Sequence, residues 1–308
     1  MKKGVWLAIG AYTAWGLFPI YWKWLHAVPA IQLVAHRIVW SFLLLSIVLT
    51  VLRQWRAFRS EAVHWHTIRI YFIAGLLLSV NWGTYVWAVN AGYIVETSLG
   101  YFINPLVSVL LGVIILHERL RRLQWVAVGL ATAGVLYLTL MYSAPPWIAL
   151  ILATSFGLYG LLKKMAPLGA LHGLTLETGL LVGPMLLFLV FAEANGQVAF
   201  LHGDGVSTLL IVGTGVVTVI PLLMFASAVR LIPLSLIGIL QYIAPTLQFL
   251  IGVLIFGEAF TPTQFVGFGL VWAAVLLFTT ENIWTRRQAA LKSAEVKLHT
   301  KSEEVSEA

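Results

Sequence analysis

The chain alternates long apolar runs with short polar breaks. The runs cover 4–25, 31–52, 69–90, 97–116, 123–141, 147–162, 172–193, 207–229, 235–256 and 263–281. Most approach the roughly 20 apolar residues that a helix needs to cross a bilayer. They lack the period-two alternation of barrel strands. Only helices and closed barrels satisfy every backbone group in lipid. The pattern therefore predicts an all-α integral membrane protein with ten transmembrane helices. The sixth run is the shortest. The break at 53–68 reads as a basic interfacial segment against anionic lipid. The tail 285–308 is polar and reads as solvated.

Composition agrees with this class. Of 308 residues, 60% are hydrophobic and 10% charged, with a mean hydropathy of +0.92. A soluble globule carries about 25% charged residues. With no cysteine, disulfides and thiolate metal sites are excluded. Lys2 and Lys3 precede an apolar run, as in a signal peptide. That run continues through Trp15, Pro19 and Trp22 without a small-residue cleavage site, so it reads as a retained first span.

The net charge of +7 is distributed between the spans, which speaks of topology and not of nucleic acid. With the N-terminus in the cytoplasm, 17 of the 19 Lys and Arg fall in cytoplasmic segments. The opposite loops hold none. Both termini are expected inside, in the inner membrane of a bacterium.

A phrase recurs at an offset of 140. Ile103, Pro105, Leu110, Gly112, Val113, Ile115, Glu118, Gln124 and Gly129 return as Ile243, Pro245, Leu250, Gly252, Val253, Ile255, Glu258, Gln264 and Gly269. The first helices match more weakly at an offset of 141, among them Trp6, Gly16 and Lys23 against Trp147, Gly157 and Lys164. Each half holds five spans, an odd number, so the second copy is expected inverted. The expected units are residues 1–142 and 143–284, followed by the tail 285–308. Inverted repeats suit alternating access around a central cavity.

These features resemble the EamA-type proteins of the drug/metabolite transporter superfamily. Gly4-Val5-Trp6, the stretch from Trp15 to Lys23, the His36-Arg37 pair and Asn81-Trp82-Gly83 are similar to its RarD subfamily, which is named for chloramphenicol sensitivity. The resemblance implies a basket of helices around a cavity, with the fifth helix of each half peripheral. It also implies a permease for small organic molecules, working outward. A membrane enzyme on lipid-linked substrates and a passive channel are the alternatives. The first would need a cluster of catalytic His, Asp or Glu, and the second repeated pore-lining charges.

Topology leaves two basic residues unplaced, Lys23 and Arg37. Arg37 lies about six residues, or roughly 9 Å, into the second span. An Arg at such depth costs about 2.5–3.5 kcal/mol on insertion scales and usually faces a cavity or a partner. It is expected to contact an anionic group of the substrate or a gate partner, with Glu96 and Asn90 as candidates. The alternative is snorkelling to the head groups. His36, Asn81, Tyr85, Asn90, Tyr101, Asn104, Gln241, Tyr242 and Gln248 complete the expected substrate-binding set. Pro105 and Pro245 each free a carbonyl and are expected to kink their helices toward the cavity. Glu177 can relay protons or pair with Lys163 or Lys164. Glu118 and Glu258 are expected to fix a turn and a neighbouring helix N-terminus. His64 and His66 lack a third ligand, and no motif for a metal, a cofactor or a phosphate appears. The expected partners are membrane lipids and a small-molecule substrate, with a monomer or homodimer as the assembly.

Overall fold

A computed structural model describes residues 2–25, 27–91, 93–142, 147–196, 199–257 and 261–306. Within its helices the side chains at 86, 89–90, 94–96, 98, 142, 283, 286–287 and 289–306 are not described. Glu258 therefore lies outside the described residues, as do the side chains of Asn90 and Glu96.

The described residues form helices and connecting loops, with no strand among them. In chain order the helices are α1 (Lys2–Trp24), α2 (Ala30–Val51), α3 (Trp55–Ala62), α4 (Trp65–Asn90), α5 (Ile94–Ile114) and α6 (Arg122–Tyr142). They continue as α7 (Trp147–Met165), α8 (Ala170–Ala194), α9 (Gly205–Leu231), α10 (Leu234–Gln241), α11 (Ile243–Leu254) and α12 (Pro262–Ser306). Among the described residues seven stretches are long and apolar enough to cross a membrane. Joining α3 to α4 across a 95° bend makes eight. The difference from ten falls on α1, rich in Trp, Tyr and Gly, and on α5, where the apolar stretch is Leu99–Ile114.

Three features depart from the run pattern. The break at 53–68 contains α3, whose Trp55 and Phe58 pack edge to face and alternate in sequence with Arg56 and Arg59. The ninth run is two helices, α10 and α11, broken at Tyr242. Pro245 explains the site of the break, since it has no N–H for the carbonyl of Gln241. Pro105 stands at the equivalent sequence position, yet α5 runs on through it. Lastly, α12 continues through the polar tail to Ser306.

Packing follows small residues. A Cβ on Gly16 would lie 2.7 Å from that of Leu247, so α1 and α11 need the glycine to approach. One on Gly157 would lie 2.8 Å from Val107, which does the same for α7 against α5. The helices also pair as α2 with α9, α4 with α8, α1 with α9, α4 with α7, α5 with α10, and α6 with α12. At the start of α9 the Asp204 carboxylate accepts the Ser207 amide at 3.0 Å. Hydrogen bonds from Ser207 hold that carboxyl below the usual carboxylate range.

Candidate functional site

A cavity of about 280 Å³ lies among α1, α4, α5, α7 and the α10–α11 break. It sits toward the end of the bundle where α1 and α4 finish and α2 and α5 begin. Its walls are largely aromatic, with Trp15, Phe18, Trp22, Trp82, Tyr85, Tyr101 and Phe156. A second hollow of about 340 Å³ shares Pro19, Tyr85, Thr97, Tyr101, Pro245 and Gln248 with the first. It runs on toward Leu138, Gln264 and Phe268 on α6 and α12. Pro245 lines both hollows, so the helix break faces the space. Pro105 is not among the residues lining either hollow, and its carbonyl faces α10, where a Cβ on Gly238 would lie 2.5 Å from the oxygen.

Among the described residues Arg37 is the one cationic residue lining the cavity, and none of those that line it is a carboxylate. The Arg37 Nε donates to Thr218 Oγ1 at 3.0 Å. The guanidinium carbon lies over the rings of Trp82 and Trp22, at 4.1 and 5.2 Å from their centroids. Such stacking offsets part of the cost of desolvating the charge. Among the described residues no carboxylate comes within ion-pair distance of Arg37.

Six more of the expected residues line the same space: Asn81, Tyr85, Tyr101, Asn104, Gln241 and Gln248. The Asn81 side-chain amide donates to the Leu152 carbonyl at 2.8 Å and to the Ser155 hydroxyl at 3.0 Å, which ties α4 to α7. Gln248 donates to the Trp15 carbonyl at 3.2 Å, and the rings of Tyr85 and Tyr101 meet at 6.0 Å. Asn104 and Gln241 are buried, and their amide oxygens find no donor among the described residues.

The other expected residues stand apart from the cavity. Tyr242 donates to the Phe102 carbonyl at 3.2 Å and is buried. His36 packs on the ring of Phe200, 5.1 Å away. Neighbours on a helix point about 100° apart, so His36 and Arg37 cannot share one face. Lys23 sits 4.0 Å over the ring of Phe256. Glu177 lies toward the opposite end, where its carboxylate accepts the Lys163 ammonium at 2.8 Å. Both side chains are at most 2% exposed.

Below the cavity Tyr12, Trp15, Phe156, Tyr159 and Phe225 form a continuous aromatic layer. Phe225 meets Tyr12, Trp15, Phe156 and Tyr159 at ring distances from 5.4 to 6.2 Å. Beyond this plug, charged side chains tie the helix ends to main chain. Glu118 accepts the amides of Leu234 and Ser235 at 2.6 and 2.8 Å, capping α10. Lys164 donates to the carbonyls of Val229 and Ile232 at 2.9 and 2.6 Å. Arg230 donates to those of Ala166 and Leu168 at 2.6 and 2.7 Å. Arg121 pairs with Glu281 at 2.8 Å, joining α6 to α12. Sequence reasoning offered Lys164 as a repeat match and a partner for Glu177, not as a tie to main chain, and missed the plug. Aromatic residues within apolar runs give no contrast from which their mutual contact could be read.

The comparisons with known proteins agree with this architecture. Residues 2–140 match the family model described as the EamA-like transporter family. Protein RarD of Streptomyces exfoliatus is 46% identical over 289 residues, covering 94% of this chain and 91% of that protein. The uncharacterized transporter YojE of Bacillus subtilis is 46% identical over 295 residues, covering 92% and 96%. Protein RarD of Escherichia coli is 39% identical over 290 residues, covering 94% and 98%. A solved crystal structure with 19% identity superposes with a TM-score of 0.66 over 91% of this chain and 98% of its own, which shows a shared fold. Identity at this level along nearly the whole chain means common descent, and the chain belongs to the EamA-type drug/metabolite transporter permeases, of the RarD type.

Proposed function

We propose that the chain is a ten-span permease of the bacterial inner membrane, built as two inverted five-helix repeats with both termini cytoplasmic. It moves a small organic metabolite or drug outward by alternating access. In this reading the Arg37 end faces outside and the Glu118 end faces the cytoplasm, as the distribution of Lys and Arg suggests.

Several features support the repeat. Exchange α1 with α7, α2 with α8, α4 with α9, α5 with α10–α11, and α6 with α12. The main helix pairs then map onto one another, α1 with α11 becoming α7 with α5 and α2 with α9 becoming α8 with α4, while the contact of α7 with α9 has no comparable counterpart. Gly16 meets Leu247, and Gly157 meets its counterpart Val107. Gln124 accepts the Arg121 amide at 2.9 Å, and Gln264 accepts that of Thr261 at 3.0 Å. His117 and Gly257 both turn the chain with positive φ, 52° and 69°.

The observation that carries alternating access is the one-sidedness of the hollow. The cavity occupies one half of the bundle, while the other half holds an aromatic plug and a set of charge-to-backbone ties. Two inverted repeats that swap conformations would move that hollow to the other end.

The native chain has no cysteine, so single cysteines report cleanly. Ala244→Cys should react with an impermeant maleimide from outside. Ala228→Cys, beneath the plug, should react only from the cytoplasmic side and only when Ala244→Cys is protected. Simultaneous labelling of both positions would mean a passive channel. Reporter fusions at Ala144, Gly203 and Ala308 should read outside, outside and inside, and a periplasmic C-terminus would remove the inverted-repeat reading.

A further inference from the structure

The geometry points to a hydroxylated aromatic carboxylate, carried as a monoanion, as the cargo class of this cavity. The inference rests on the permease reading in that it takes the cavity as the cargo site. A guanidinium offers five N–H donors. On Arg37 the Nε donor is used by Thr218. No hydrogen bond from the terminal nitrogens is found among the described residues; around the guanidinium stand the indoles of Trp82 and Trp22, whose centroids lie 4.1 and 5.2 Å from its carbon, and the hydroxyls of Tyr85 and Tyr101. The unused edge is a planar fork matched to a carboxylate.

The rest of the lining narrows the class further. No Asp or Glu among the described residues lines the cavity, so an ammonium group there would meet the Arg37 charge with no described carboxylate to balance it. That disfavours cations, and it disfavours zwitterions relative to simple anions. Tyr85, Tyr101 and Phe156 add ring faces and edges, and the cavity of about 280 Å³ suits a compact planar molecule. Nearer the floor, the side chains of Asn104, Gln241 and Gln248 line the cavity, and a side-chain amide can accept a donor. A hydroxyl on the ring, remote from the carboxylate, supplies one.

The test uses the purified full chain in detergent or nanodiscs, with thermal stabilisation as the binding readout. The probes are 4-hydroxybenzoate, 4-hydroxybenzamide, tyramine, benzoate and acetate. 4-Hydroxybenzoate should stabilise the protein. The neutral amide and the cation should bind at least about tenfold more weakly, and benzoate and acetate should also fall behind. Arg37→Gln should still melt cooperatively without ligand, lose the response to 4-hydroxybenzoate and bind the amide at least as well as the wild type does. Arg37→Lys should restore little, because an ammonium has no fork. Equal binding of acid and amide by the wild type would overturn the proposal, as would an acid response that survives in Arg37→Gln. A wild type indifferent to every aromatic acid would overturn it too, since the fork is then filled from within the chain. In that last case the cysteine accessibility experiment decides separately whether the permease reading stands.

Discussion

The two ends of the bundle handle charge in opposite ways. At the Glu118 end every charged side chain described above has a partner: two amides for Glu118, two carbonyls each for Lys164 and Arg230, and Glu281 for Arg121. At the other end Arg37 has a hydroxyl and two indoles, with no carboxylate among the described residues. The first arrangement closes helix termini that would otherwise leave unpaired groups in or near lipid. The second leaves donor capacity over, which is the condition for binding something. The difference teaches that a charge in a membrane protein is informative through what remains unsatisfied around it, more than through its depth.

The comparison breaks most visibly at the buried pair beside the Glu118 end. Lys163→Met leaves Glu177 buried without its cation and should cost about 3–5 kcal/mol, read from thermal or denaturant unfolding. The double variant Lys163→Met with Glu177→Met should recover most of that loss. Failure to recover would give Glu177 a role beyond pairing.

Next in size is Glu118→Ala. It strips two acceptors from the start of α10 and should destabilise by about 2–3 kcal/mol, since charge-assisted bonds are lost and amides are left open. Hydrogen exchange at Leu234 and Ser235 should rise. Gly112→Ala tests the same latch from behind, because its Cβ would lie 2.8 Å from the Glu118 Oε2 and 3.0 Å from the Ser235 nitrogen. It should cost about 1–3 kcal/mol by overpacking, with the same rise in exchange.

The smallest effect belongs to Asp204. Its folded carboxyl lies below the usual carboxylate range because Ser207 donates hydrogen bonds to it. Its contribution is therefore present above the unfolded carboxylate range, near about 3.9, and is lost as pH falls through the folded value. Asp204→Ala should lower the melting temperature slightly at neutral pH and leave it unchanged at the acid limit. An unchanged difference at all pH values would remove the capping role.

How legible this was varied with contrast. Span edges were readable because polar breaks stand out: the run 207–229 is α9 at Gly205–Leu231, and 4–25 is α1 at Lys2–Trp24. The capping role expected of Glu118 was readable because a carboxylate just past a helix end has few other uses. The break at Tyr242 was not, since Pro105 and Pro245 look alike in sequence and differ in what packs against them. Arg37 announced itself as a charge in an apolar run. Thr218, which holds its Nε, did not, because a lone hydroxyl in such a run more often bonds its own helix backbone, as Thr139 does to Val135. His36 was drawn in by its neighbour, and only the helix turn separates the two.

The latches at the Glu118 end grip main chain, and this bears on how the protein can drift over generations. Lys164 holds the carbonyls of Val229 and Ile232, and Glu118 holds the amides of Leu234 and Ser235. The four gripped residues present only groups that almost every amino acid carries. Their side chains are thus free of the latch, and substitution there is limited by packing and by a ban on proline at 234 and 235, whereas Lys164 and Glu118 have no such latitude. In a lineage of such proteins the hand should stay fixed while the rail it holds changes.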